Sequence, residues 1–162
     1  MPSDGVLNPS GVRFGSSEIY NILAEPRFKG IVTDAIVVGQ QRTQPPYSDP
    51  AELVVLFVEF TPRCSTGTVR PHSKLESAIR EQVAKDLSRR HVPTYIFEIE
   101  EVPYNANGKK LEIQVKAVLC GGTEALKKLK LTQEELRQVK KFERFYEMEK
   151  MAKSLDGSGS KL

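Results

Sequence analysis

The sequence predicts an α+β domain: a small sheet of about three strands packed with helices, preceded by a short two-stranded ribbon and followed by a helical tail. Three observations carry this. Two β-rich blocks, residues 31–39 and 52–60, and the alternating Tyr95, Phe97 and Ile99 supply strands. Leu75, Ile79, Val83 and Leu87 recur every four residues and place a helix between the second and third of these strands. Ser73-x-x-Glu76 and Thr132-x-x-Glu135 read as capping boxes that open helices.

Residues 1–15 are rich in Gly, Ser, Asn and Pro, with isolated Val6, Leu7, Val12 and Phe14. They read as a ribbon turning at Asn8-Pro9-Ser10-Gly11. Ser16 or Ser17 is the expected cap of the next helix, with Glu18 at its positive end. Ile19, Ile22 and Leu23 form that helix's buried stripe, and Pro26 ends it. Residues 52–60 are apolar on both faces, so that strand belongs mid-sheet. Residues 40–50 are a polar loop with Pro45-Pro46, expected to be mobile, and residues 63–71 form a second loop. His91-Val92-Pro93 is the expected stop of the second helix. Residues 111–119 fit two periods. Leu111, Ile113 and Val115 alternate as in a strand, while Leu111, Val115, Val118 and Leu119 fit a helix equally well. Cys120-Gly121-Gly122 closes the domain, giving 1–122 as domain, 123–155 as helical tail and 156–162 as flexible terminus. The tail helix places Leu136, Val139, Phe142 and Tyr146 on one face. It could dock, pair with another chain or form only in part. Docking is favoured, because an isolated helix of this length is marginal in water.

The 162 residues, 39% hydrophobic and 28% charged, describe a globular chain with some disordered tail. No apolar run approaches membrane-spanning length, and no charged-then-apolar leader opens the chain. Cys64 and Cys120 are too few for a disulfide framework, and with His72 and His91 they lack metal-ligand spacing, so no metal site is expected. The net charge is +3, and the tail's basic residues are interleaved with glutamates. That pattern describes a solvated helix, not a nucleic-acid arm.

The stretch around which the chain is organised is Val102-Pro103-Tyr104-Asn105-Ala106-Asn107-Gly108-Lys109-Lys110. Pro103 fixes one backbone angle, and Asn107-Gly108 is a strong turn dipeptide. The turn lifts Lys109 clear of its neighbours. A compact ammonium on a long stem suits contact with a phosphate or a developing oxyanion. The rival reading is a solvated surface turn with two lysines.

The run Ser3-Asp4-Gly5-Val6-Leu7-Asn8-Pro9-Ser10-Gly11-Val12-Arg13-Phe14-Gly15-Ser16-Ser17-Glu18-Ile19 resembles the hinge-and-lid signature of the adenylate-forming enzymes: acyl-CoA synthetases, luciferases and peptide-synthetase adenylation modules. Pro103 to Lys109 resembles the same superfamily's C-terminal lysine loop, Pro-x-x-x-x-Gly-Lys. Within it, the wording of both motifs is most similar to the acetoacetyl-CoA synthetases. The resemblance covers residues 3–120 and selects helix for residues 111–119. It implies a lid that serves two half-reactions, acyl-AMP formation from ATP and then thioester formation with coenzyme A. Lys109 takes the position of the adenylation lysine, with Lys110 as its confounding neighbour. Asp4 takes that of the hinge, and Gly11 that of the glycine lining the pantetheine tunnel. Ser10 is a weaker coenzyme A contact. Arg13 reaches the nucleotide phosphate, its rival reading being an ion pair with Glu18. Arg89 and Arg90 could meet a coenzyme A phosphate or only complement a helix end.

The implied substrates are ATP, coenzyme A and acetoacetate or a similar short acid, with Mg held by an N-terminal domain that would be this chain's partner. The Gly-Arg that normally precedes Ser3-Asp4 is replaced by Met1-Pro2, and Cys64-Ser65-Thr66-Gly67-Thr68 lacks the glycines and lysine of a phosphate loop. The expectation is a lid fragment, a truncated gene or one piece of a longer protein, inactive alone. The alternatives are a non-catalytic lid-like module that binds a partner through its tail, or the lid of another short-chain synthetase. Ser160-Lys161-Leu162 matches the receptor-read peroxisomal address, which makes the import receptor a candidate partner; a Gly-Ser linker scar and a cytosolic location are the alternatives.

Overall fold

The structure is a computed structural model that describes residues 6–7 and 14–152. Strand β1 (Val6–Leu7) pairs antiparallel with β2 (Phe14–Gly15), forming the ribbon. Three further strands make one sheet in the order β3 (Val32–Gln40), β4 (Leu53–Phe60), β5 (Tyr95–Glu98). Central β4 runs antiparallel to β3 and parallel to β5. A parallel pair needs a crossover, and helix α2 (Ser73–Asp86) lies within it.

The unbroken apolar run of β4 feeds two cores, as a mid-sheet strand must. On one face Val54, Leu56 and Val58 pack with Ala35, Val37 and Ile96 under α1 (Ser16–Leu23) and α2. On the other, Val55 and Phe57 pack with Ile36, Val38 and Phe97 under α3 (Glu112–Lys128) and α4 (Gln133–Lys140). Residues 111–119 are helical. Leu111, Val115, Val118 and Leu119 are buried, whereas Ile113, which a strand would have turned inward with them, is 48% exposed. Helix α3 breaks at Gly122 (φ 65°, ψ −150°), a conformation essentially confined to glycine. The break stacks the backbone on Tyr146: a Cβ at Gly122 would stand 3.3 Å from that ring.

The tail docks, though in a different register from the expected one. Helix α4 ends at Lys140, and residues 143–147 tighten into a 3₁₀ segment. The inward residues are Val139, Phe142, Phe145 and Met148, each three after the last, while Leu136 is 41% exposed. A 3₁₀ turn returns a side chain to the same side every third residue, so the tightening keeps this series against the sheet. Phe142 and Phe145 stand 5.0 and 4.9 Å from Phe57, ring centre to ring centre. Burying each such ring stabilises by about 1.5–3 kcal/mol.

Three local expectations need correcting. Gly15, not Ser16 or Ser17, caps α1, and Glu18 reaches back to the Gly15 N–H at 3.1 Å. His72 precedes α2, so Ser73 is its first residue rather than its cap, and Glu76 instead pairs with Arg80 one turn on. Helix α2 ends at Asp86, before His91, and Ser88 then caps a separate 3₁₀ turn, Arg89–His91. The Thr132–Glu135 box is present in both directions, at 3.1 and 3.2 Å.

Residues 40–50 are anchored through Arg42, whose side chain is 1% exposed. Its Nε donates to Asp49 Oδ2 at 2.8 Å, and its Nη1 to the Tyr146 carbonyl at 2.8 Å and to Glu149 Oε1 at 2.9 Å. The guanidinium lies 4.0 Å from the centre of the Tyr47 ring. One arginine thus ties this loop to the tail. Burial pushes the Asp49 carboxyl up, but its hydrogen bonds from Arg42 prevail and hold it below its ordinary value. Arg42's hydrogen bonds hold Glu149 low as well.

Candidate functional site

The lysine turn is built around Asn105. Its Oδ1 accepts from the Asn107 N–H at 2.8 Å and the Lys109 N–H at 3.0 Å. Its own N–H donates to the Lys109 carbonyl at 2.9 Å, and its carbonyl accepts from the Gly108 N–H at 3.0 Å. Gly108 takes φ 80°, the left-handed value expected of the Asn-Gly pair. Below the turn, Tyr104 and Lys110 pair as an isolated antiparallel bridge, and the Leu111 N–H donates to the Pro103 carbonyl at 3.1 Å. The sequence pointed to Asn107-Gly108; Asn105, which gathers the turn's amides, was the signal passed over.

The two lysines have different surroundings. Lys110 Nζ lies 3.5 Å from the centre of the Tyr20 ring and 3.3 Å from Asp34 Oδ1. The Tyr104 hydroxyl donates to Asp34 Oδ2, and the Tyr20 hydroxyl donates to Glu112 while accepting the Val37 N–H at 3.0 Å. Burial, reinforced by Glu112, pushes the Tyr20 phenol above its ordinary value; burial and Asp34 do the same to Tyr104. Both phenols therefore stay protonated donors at neutral pH. Lys110 is thus docked on α1 and β3 and ties the turn to the body, while Lys109 is exposed at the turn's tip. An exposed ammonium on a braced turn can be presented to an anion brought from outside.

The stem is also held from the tail. The Gln138 side chain on α4 is 6% exposed; its Oε1 accepts the Tyr104 N–H at 2.9 Å and its Nε2 donates to the Tyr104 carbonyl at 3.0 Å. Sequence reasoning read that helix face as solvated and missed Gln138, and nothing local distinguishes it from its polar neighbours.

The remaining candidates do not gather at the turn. Asp4, Ser10, Gly11 and Arg13 lie outside the described residues, as does Ser160-Lys161-Leu162. Arg89 and Arg90 are exposed on the short turn after α2 and do not end that helix, so the helix-dipole reading falls away. Glu18, the rival partner of Arg13, engages the Gly15 N–H and stands 3.7 Å from His91 Nε2. Among the described residues no cluster of three or more His, Cys, Asp or Glu side chains is placed to hold a metal, and no helix is long and apolar enough to cross a membrane.

No family model matches the chain. It is 46% identical over 119 residues to a malonamoyl-CoA synthetase of Penicillium aethiopicum, covering 74% of this chain and 15% of that protein. It is 45% identical over 121 residues to the acetoacetyl-CoA synthetase of Rattus norvegicus, covering 75% of this chain and 16% of that protein. The chain thus spans about one sixth of the length of these relatives. Among solved structures, an acetoacetyl-CoA synthetase from Streptomyces lividans superposes with a TM-score of 0.64 at 24% identity, over 91% of this chain and 20% of that one. An acyl-CoA synthetase of Brucella canis superposes with a TM-score of 0.54 at 26% identity, over 72% of this chain and 19% of that one.

Proposed function

We infer that this chain, homologous to acetoacetyl-CoA synthetase and to the acyl-CoA synthetases of the adenylate-forming superfamily, is the lid of an acetoacetate–CoA ligase and acts with a larger ATP- and acyl-binding domain. The observation that supports this best is the contrast between the two lysines. The turn is braced by Asn105, Gln138 and Lys110, and Lys109 alone of the pair stands exposed at its tip.

In the first half-reaction a carboxylate oxygen attacks the α-phosphorus of ATP. The bond to pyrophosphate breaks and acyl-AMP forms. Two anions meet in that step, and the Lys109 ammonium bridges their oxygens and offsets the charge that gathers there. A preorganised cation at such a point contributes about 10²–10³ in rate. In the second half-reaction the thiol of coenzyme A attacks the acyl carbonyl and AMP leaves. Ser10, Gly11 and Arg13 are proposed for the coenzyme A and nucleotide contacts, and Asp4 for the hinge between the two arrangements.

The proposed acid is acetoacetate. A malonamoyl group differs from an acetoacetyl group only by NH₂ in place of CH₃, so both relatives' names point to a short acid with a carbonyl at the third carbon. Mg would be held by the larger domain.

The test adds this chain to a synthetase core that lacks its own lid and follows acetoacetate-dependent ATP–pyrophosphate exchange. Restored exchange supports the reading, and exchange that stays at the level of the core alone refutes it. A module gripping a partner by the tail is less well supported, because Val139, Phe142, Phe145 and Met148 already bury the tail's apolar face within this chain.

A further inference from the structure

We propose that Gln138 is a positioning residue for Lys109, so that the tail helix α4 sets the orientation of the lysine turn. This rests on the lid reading above. A primary amide that accepts from one backbone N–H and donates to the carbonyl of the same residue replaces a strand partner, and Gln138 does this to Tyr104 at 2.9 and 3.0 Å. Tyr104 is where that replacement matters: it stands opposite Lys110 at the base of the turn, where the bridge is closed by its neighbours Pro103 and Asn105, so its own N–H and C=O face away from Lys110 and toward Gln138. Gln138 therefore extends the stem's pairing by one more partner. It is buried, so water does not stand in when it is removed, and two polar groups of the stem then go unpaired.

The same helix grips the approach to the turn. Arg137 Nη1 stands 2.8 Å and Lys141 Nζ 3.1 Å from Glu101 Oε1. Residue 104 is thus tied to α4 by Gln138, and residue 101 by Arg137 of α4 and by Lys141, which caps the helix's C-terminal end. The helix is fixed in turn by Val139 in the sheet core and by the Thr132–Glu135 cap. A rigid, capped and core-anchored helix that contacts the turn at its root sets the direction in which the turn projects. The two exposed ion pairs add little energy each, so the amide pair is the decisive contact.

The experiment compares the full chain with its Gln138→Leu and Gln138→Glu variants by amide hydrogen exchange. The amides of Asn105, Lys109 and Leu111 report the turn, and those of Val55 and Leu56 report the sheet. Gln138→Leu should accelerate the turn amides about tenfold and leave the sheet amides unchanged. Gln138→Glu, which keeps the acceptor for the Tyr104 N–H, should fall between it and the parent. Unchanged turn amides, or turn and sheet accelerating by the same factor, would overturn the proposal.

In the core-plus-chain exchange assay, Gln138→Leu should lower kcat about tenfold with KM for ATP unchanged, and Gln138→Glu should recover part of it. A rise in KM with kcat preserved would contradict positioning. If the parent chain itself restores no exchange, the lid reading fails, and the amide measurement still decides whether Gln138 orders the turn.

Discussion

Replacing Arg42 by Met should destabilise the chain by about 2–3 kcal/mol, and the structure supplies the magnitude. The guanidinium is almost completely buried and serves Asp49, Glu149 and the Tyr146 carbonyl together. Met keeps most of the apolar stem and removes every donor. Breaking a buried ion pair by deleting one partner costs about 3–5 kcal/mol when the other stays buried. Asp49 is 14% exposed and does stay largely buried, but Glu149 is 54% exposed and rehydrates, which brings the figure to or just below the bottom of that range. For a chain of this size the loss lowers Tm by roughly 4–12 °C. Urea unfolding followed by circular dichroism measures it. The Arg42→Met, Asp49→Asn pair should cost less than the sum of its members, since the second change removes the stranded charge. A loss under about 0.5 kcal/mol for Arg42→Met, or strict additivity of the pair, would refute the account of Arg42 as the tie between loop and tail.

Acid should weaken the same tie. Arg42 holds Asp49 and Glu149 below their ordinary values of 3.8 and 4.5, so the stability they contribute is full above those values and is lost as pH falls through the lowered ones. Unfolding free energy measured from pH 6 down to pH 2 should decline across that window, with a smaller decline in Arg42→Met. Gly122→Ala should cost about 1–3 kcal/mol by thermal melt, because alanine resists the φ and ψ found there and its Cβ would crowd Tyr146. Lys110→Ala should lower stability by about 0.5–1 kcal/mol in the same melt, through loss of its contacts with Tyr20 and Asp34.

Some of this architecture could be read from the chain, and some could not, for identifiable reasons. β4 was legible because eight consecutive strand residues, nearly all apolar, fit only a position covered on both sides. The lysine turn was legible because Pro103 and Asn107-Gly108 restrict the backbone locally. Residues 111–119 were not settled by period alone, since Leu111 and Val115 serve both patterns; the exposure of Ile113 and the burial of Val118 separate them. The tail's inward series was misread because a 3.6-residue period was assumed where the chain tightens toward three. The caps of α1 and α2 were misplaced by one or two residues, as a serine near a helix start is an equally good first residue.

Arg42 and Gln138 were illegible for a common reason. Arg42's partner Glu149 lies 107 residues away, and Gln138's partner Tyr104 lies 34 away, so no local pattern marks either. Both join the tail to the rest, and the tail is where the family resemblance in the sequence gave out.

The most direct measurement compares Lys109→Ala with Lys110→Ala in acetoacetate-dependent ATP–pyrophosphate exchange by a lid-deleted synthetase core supplemented with this chain. Lys109→Ala should reduce the restored rate by about 10²–10³, while Lys110→Ala should keep it within about tenfold. Full exchange with Lys109→Ala, or a greater loss with Lys110→Ala, would contradict the assignment.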